Sequence, residues 1–351
     1  MEGYILLADG MRLGGQIIGP AKVAPGRLIA NTAVVGFQEM VTDPAYRGAI
    51  LAFTYPEVGS VGVARRFAES EGVQVAGLAV KVLSEFRSHY LAERDFAEML
   101  AADGVPCLTG VDTRALAVHL REAGEMSAAI APADADSKEV QEALKQAAEP
   151  PSRPCGKNPD SPAQGKPLLA VLDLGARRSD LRQLAARCAL RVHAQDASAK
   201  EILADRPAGL YVSDGPGYCE PPAAAVKALK DIVGRLPILA CGLGQVALGM
   251  ALGCRPTLLK RGHHGANHPV RDLATGAVQV TQQRHTLMLD RSSVDRCADA
   301  QVLCENLHDK TVEGIRSADG SVTGYQYILA APEPDALNAS ILAFQSRLAV
   351  R

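Results

Sequence analysis

The residues Pro237-Ile238-Leu239-Ala240-Cys241-Gly242-Leu243-Gly244-Gln245 have the layout of a nucleophile elbow. A buried apolar run ends in a Gly-rich turn, and an Ala-rich helical pattern follows. Such a turn lifts one side chain above the end of a parallel sheet, where it can attack a substrate carbonyl. The position that should carry the nucleophile is Gly242, which has no side chain. The pattern predicts the frame of a catalytic site without its reactive atom.

For such a turn to matter, parallel strands must deliver it, and the second half of the chain alternates accordingly. Leu168–Leu174 is a continuous apolar run, as expected of a strand buried on both faces. A helix is predicted over Ser179–Cys188. Further strands are predicted at Leu190–His193, Gly209–Ser213 and Pro237–Ala240. Strands alternating with helices imply a parallel sheet with right-handed crossovers. Ligands of such sheets sit at the carboxyl ends of strands. Two Gly-rich turns, 214–217 and 242–244, fall at such ends. From Val278 the pattern becomes β-rich, with Asp319-Gly320 marking a hairpin between Ile315 and Tyr325.

The first half is mixed α and β. Tyr4–Gly10 reads as a strand running into a turn. Helices are predicted near Glu93–Ala102 and over Thr113–Ala123. Residues 149–167, EPPSRPCGKNPDSPAQGKP, are dense in Pro, Gly and polar residues and read as a linker. Two domains are expected, over 1–148 and 168–351, because 351 residues exceed most single domains. A 47% hydrophobic content supports sizeable cores. A net charge of -2 with no long basic run leaves nucleic acid unsupported as a partner. No apolar run is long enough to span a bilayer. Met1-Glu2-Gly3-Tyr4 has no basic region leading into an apolar core, so no secretory leader and a cytoplasmic location are expected. The 8 cysteines form no CxxC pair, so free thiols and no zinc site are expected.

Three stretches together resemble the small subunit of carbamoyl-phosphate synthase. They are Ser213-Asp214-Gly215-Pro216-Gly217, the elbow, and Gly262-His263-His264-Gly265-Ala266-Asn267-His268-Pro269-Val270. Asn31-Thr32, Gly36-Phe37-Gln38-Glu39, Thr42-Asp43-Pro44, Thr54-Tyr55-Pro56 and Asp112-Thr113-Arg114 resemble its N-terminal signatures in order. The fold implied is a mixed α/β N-terminal domain followed by a doubly wound α/β, class I glutamine amidotransferase-like domain. The implied partner is a large synthetase subunit in a hetero-oligomer. No cofactor and no metal are implied, because the family keeps the His263, His264 and His268 cluster without one.

The departures from the family pattern decide the chemistry. The family elbow reads G-I-C-L-G-H-Q, which aligns the nucleophilic Cys with Gly242. Cys241 lies one residue early, and in a strand that shift turns the side chain to the opposite face. The family's Q-G-H-P-E aligns with Gln326-Tyr327-Ile328-Leu329-Ala330, so Ile328 replaces the base and Ala330 its orienter. A thiol without an adjacent base is not activated. Glu333 reads as a surface carboxylate and not a substitute. Among family substrate-binding positions, Ala45 replaces a Ser, Val246 replaces a Gln, and Arg284-His285-Thr286-Leu287 replaces the N-H-G-F loop. Leu243 and the Gly215-Pro216-Gly217 turn are kept. In the family that turn's N–H groups stabilise an oxyanion; without a nucleophile, the glycines read as a tight turn. Asp173 and His285 are assigned no catalysis.

The favoured reading is a subunit that has lost glutaminase chemistry and serves a large subunit that uses free ammonia. A second reading is a repurposed pocket of Arg284, Tyr327, Tyr218 and Cys241, in which Arg284 would take a carboxylate or phosphate. A third is the glutamine-hydrolysing subunit that the resemblance alone would imply.

Overall fold

The computed structural model describes residues 1–147, 165–331 and 337–348. Most of the segment expected as a linker, and Glu333, lie outside them. Two compact units form, one of Met1–Ser152 with Lys260–Gly265, the other of Arg153–Leu259 with Ala266–Arg351.

In the first unit seven strands close into a barrel. The strand Ala49–Phe53 is buried at every position, and it pairs in parallel with Ala24–Asn31 and Gly77–Ala79. Strands Glu2–Leu7 and Arg12–Ile18 add antiparallel pairing. The helix Thr113–Ala123 matches its predicted limits. It begins where the Asp112 carboxylate accepts the Ala115 N–H at 2.9 Å, which satisfies a donor that the first turn leaves open. The helix expected near Glu93–Ala102 starts later, at Phe96. Arg94 instead bridges to Val63 in extended conformation, which holds the preceding residues out of the helix.

The second unit is a nine-stranded sheet. Strands Ala189–Ala194, Leu168–Asp173, Gly209–Val212, Ile238–Cys241 and Val322–Tyr325 lie side by side in that order, all parallel. Val312–Arg316 and Gln301–Asn306 extend it antiparallel. The hairpin expected at Asp319-Gly320 joins Val312–Arg316 to Val322–Tyr325. The helix predicted over Ser179–Cys188 spans Arg178–Ala185. It stops early because the Ala189 N–H already pairs with the Pro167 carbonyl, and the chain must turn before that residue.

Helices cover both faces of the parallel strands. Ala170, Leu172, Leu210, Val212, Ile238 and Ala240 pack with Ile202, Leu229 and Val246. Their neighbours Leu169, Val171, Tyr211, Leu239 and Cys241 pack with Leu184, Ile341 and Phe344 on the other face. This double covering is why the strands read as unbroken apolar runs, and it makes the unit a doubly wound α/β fold. Among the described residues no helix is long and apolar enough to cross a membrane.

Leu172 is fully buried at the centre of one core, whereas Val280 is exposed on the strand Val278–Leu289. Leu172→Ala is expected to lower stability by about 2–5 kcal/mol. Val280→Ala should stay within about 0.5 kcal/mol of the parent. Urea denaturation of the two variants checks the contrast.

Candidate functional site

The strand Ile238–Cys241 ends directly at Gly242, and the helix Leu243–Ala251 begins one residue later. Gly242 has φ 51° and ψ -119°, a conformation that L side chains rarely adopt. The strained backbone of an elbow is therefore present, and glycine removes most of its cost. The Gly242 N–H donates to the Tyr325 carbonyl at 2.8 Å. That bond and the parallel register Cys241↔Tyr325 bring the following residues, Gln326 to Ala330, alongside the elbow.

The space above Gly242 is filled by a carboxylate. A Cβ built on Gly242 would collide with the Asp214 carboxyl group. Asp214 Oδ1 accepts the Gly215 N–H at 2.8 Å and the Leu243 N–H at 2.7 Å. Arg284 Nε and Nη2 both reach Oδ2 at 2.8 Å. Asp214 is 6% exposed and Arg284 5%. In an elbow, the N–H of the residue after the nucleophile is an oxyanion donor, and here that residue is Leu243. The donor pair that would stabilise a developing oxyanion already holds the negative oxygen of the chain's own side chain.

Matching family models cover most of the described chain. Residues 5–130 match the carbamoyl-phosphate synthase small chain, CPSase domain, and residues 170–327 match glutamine amidotransferase class-I. A carbamoyl phosphate synthase small chain of Methanopyrus kandleri is 36% identical over 93% of both chains. One from Listeria monocytogenes is 36% identical over 92% of this chain and 90% of its own length. The chain belongs to the carbamoyl phosphate synthase small chain family. One from Aquifex aeolicus is 33% identical over 92% of each.

The positions of this small-chain family member that were singled out from the sequence fall into separate environments. Cys241 lies in the core on the sheet face opposite Ala240, as the one-residue shift requires. Burial pushes its thiol far up from the ordinary range, and the Asp180 carboxylate adds to the rise. Tyr327 shares that core with Cys241, and its hydroxyl accepts from Gln279 Nε2 at 2.6 Å. Arg284 instead serves Asp214. The pocket expected from Arg284, Tyr327, Tyr218 and Cys241 therefore does not come together: two of its members point into an apolar cluster. Arg284 has the carboxylate expected for it, but that carboxylate is internal.

Ile328 is half-buried and Ala330 exposed; neither carries a group that accepts a proton. Leu243, Val246 and Leu287 are core residues. The Thr286 and Leu287 N–H groups both donate to the Gly217 carbonyl, at 2.8 and 2.7 Å. A Cβ on Gly217 would lie 2.7 Å from the Arg284 carbonyl, so that turn needs glycine for close backbone approach. Gln245 Nε2 donates to Gln326 Oε1 at 3.0 Å, and Gln326 Nε2 to the Leu287 carbonyl at 3.2 Å. These two amides, fully or almost fully buried, link the elbow helix to the segment after Val322–Tyr325 and to the strand Val278–Leu289.

Other singled-out residues have structural partners. Asp173 Oδ1 accepts the Gly175 and Ala176 N–H groups at 2.9 and 2.7 Å and so caps a turn. His264 Nε2 lies 2.9 Å from Glu125 Oε1, both buried in the first unit. His263 and His285 are buried, and the His268 carbonyl accepts from Thr281 Oγ1. Ala45 is buried in the first unit, where its N–H donates to Asp43 Oδ1. Asp214 is the residue at this site that its pattern in the sequence did not single out; an Asp before Gly-Pro-Gly reads as a turn former.

Two outcomes follow. Gly242→Cys should lose stability, by roughly 1–3 kcal/mol from the backbone alone and more from the collision with Asp214. Urea midpoints measure it. In the native protein at pH 8, iodoacetamide should leave Cys241 unmodified while labelling the half-buried Cys219 and Cys297, as read by peptide mass spectrometry.

Proposed function

We propose that this chain is a non-catalytic small subunit, a partner for a large synthetase subunit that makes carbamoyl phosphate from bicarbonate, ATP and free ammonia. The observation that carries the proposal is the Asp214 carboxylate, which fills the nucleophile's place and engages the Gly215 and Leu243 N–H donors. Hydrolysis of glutamine needs a thiolate at the elbow, a base beside it and an empty oxyanion site. Gly242 and Ile328 supply neither of the first two, and Asp214 occupies the third. Ala330 adds no orienter. The altered positions Ala45, Val246, Arg284, Thr286 and Leu287 support the same reading, because a site that grips an amino acid loses several hydrogen bonds, each worth roughly 1 kcal/mol.

Docking rests on the retained N-terminal signatures, Gly36 to Pro44, Thr54 to Pro56 and Asp112 to Arg114, and on family membership. The assembly is a hetero-oligomer without cofactor or metal on this chain, located in the cytoplasm. The domains of the proposal are 1–148 and 168–351, with 149–167 as the linker in sequence.

The test is to co-purify the chain with the large subunit encoded nearest to it and to assay the complex with ammonia and with glutamine. Association at micromolar concentration and activity with ammonia alone are expected, with glutamine neither supporting nor competing. The isolated chain should release no glutamate from glutamine. Glutamate release that vanishes on Cys241→Ala would contradict the proposal and show a slipped elbow. Failure to associate would remove the partner role.

A further inference from the structure

Two cysteines meet at the far end of the elbow helix, and local structure fixes both. The helix Leu243–Ala251 closes in a Schellman motif. Gly253, at φ 94°, donates its N–H to the Met250 carbonyl at 3.0 Å, and the Cys254 N–H reaches the Gly249 carbonyl at 2.9 Å. Cys254 is thereby held in the core, 4% exposed. The next residue, Arg255, donates its N–H to Ser293 Oγ at 2.8 Å, and its carbonyl accepts the Asp290 N–H at 2.8 Å. Both bonds go to the helix Arg291–Asp295 and its Asp290 cap. Two residues past that helix stands Cys297, half-buried against the same core.

The two thiols form one hydrogen-bonded chain. Cys254 donates to Cys297, and Cys297 Sγ donates to the Leu252 carbonyl at 3.2 Å. Burial, with the neighbouring thiol, holds Cys254 above the ordinary thiol range, so it stays protonated at neutral pH. The half-buried sulfur of Cys297 is the one a reagent can reach, and a second sulfur waits in contact behind it. That is the arrangement of an attacking thiol and a resolving thiol. Cys107, Cys188, Cys241 and Cys304 are all buried and offer no such entry.

We propose that Cys254 and Cys297 are a reversible modification site, which small disulfides of the oxidised-glutathione type convert to an internal disulfide. Cys297, as thiolate, attacks one sulfur of the small disulfide; that S–S bond breaks and one small thiolate leaves. Cys254 then attacks Cys297 Sγ, the mixed disulfide breaks, and the second small thiolate leaves. Each departing thiolate takes up the proton that one protein thiol gave up. Two protein thiols and one small disulfide become one protein disulfide and two small thiols. The bond joins the end of the elbow helix to the segment that follows the strand Val278–Leu289, which carries Arg284. Neither step needs a partner subunit or glutamine, so the site stands apart from the proposed role in the complex.

The test is to incubate the full chain in oxidised or reduced glutathione, block remaining thiols with N-ethylmaleimide, and digest with trypsin without reduction. A peptide of residues 236–260 linked to one of 297–310 is expected in oxidised glutathione only, and dithiothreitol should release it. Those peptides also carry Cys241 and Cys304, so variants assign the bond. Cys241→Ala should keep the link, whereas Cys254→Ala and Cys297→Ser should lose it. Cys254→Ala should instead retain glutathione on Cys297. Linking should quicken as pH rises, because Cys254 must ionise to attack. Oxidation should raise the parent's thermal midpoint by roughly 4–12 °C and that of Cys254→Ala not at all. If a variant does not fold, fragment ions of the linked peptide from the parent identify the joined sulfurs. A glutathione adduct that stays on Cys297 of the parent without a link, or a link that survives Cys297→Ser, would overturn the proposal.

Discussion

A single buried carboxylate joins the segments that meet at the carboxyl end of the parallel strands. Asp214 leaves the strand Gly209–Val212 and bonds the first helical N–H after the elbow. It also bonds its own turn at Gly215 and the guanidinium of Arg284. Glycine at 242 relieves the strain of the elbow's backbone, and the Asp214 carboxylate leaves no room for a side chain there. One substitution in the strand-to-helix turn is thus matched by an acidic residue across from it and a basic residue on a third segment. The buried amides of Gln245 and Gln326 bond each other beside this cluster.

The energetics explain why such a pair persists without being a large source of stability. A buried ion pair gains Coulomb energy but loses hydration, and an apolar replacement of equal shape is often neutral. What is costly is half a pair. Asp214 without Arg284, or Arg284 without Asp214, leaves a charge in a site only a few percent exposed. The two backbone donors add charge-assisted bonds and the dipole of the helix Leu243–Ala251, each favouring an anion at this point. An anion therefore belongs in this place whether or not catalysis occurs. Here the anion at this point is the protein's own Asp214 carboxylate.

Much of this was legible in the sequence. Apolar runs such as Leu168–Asp173 show as strands because both of their faces are covered, and the helix Thr113–Ala123 shows because Asp112 caps it. The place of Gly242 follows from the elbow's layout and the family pattern, and the turn of Cys241 to the opposite sheet face follows from strand periodicity. The barrel of the first unit was not legible, since its strands are as short as three residues and close through pairings distant in sequence. Arg284 could be read as a carboxylate binder, yet its partner lies 70 residues away and resembles an ordinary turn aspartate. The signal that would have found it was volume: a missing nucleophile side chain leaves room that a neighbouring acid can enter. Cys241 failed as a pocket residue because alternation along the strand Ile238–Cys241 places it in the core on the far face, and Tyr327, two residues past the strand Val322–Tyr325, packs into the same core.

Asp214 and Arg284 are joined as one buried unit. A double-mutant cycle on the full chain, with Asp214→Ala, Arg284→Ala and both, measured by equilibrium urea denaturation, tests this most directly. Each single change should cost about 3–5 kcal/mol, and the double change should cost little more than one of them, a coupling of ~2 kcal/mol or more. Single effects that add to within about 0.5 kcal/mol would show that the two side chains act separately, and would contradict the internal ion pair as the constraint on which the site is built.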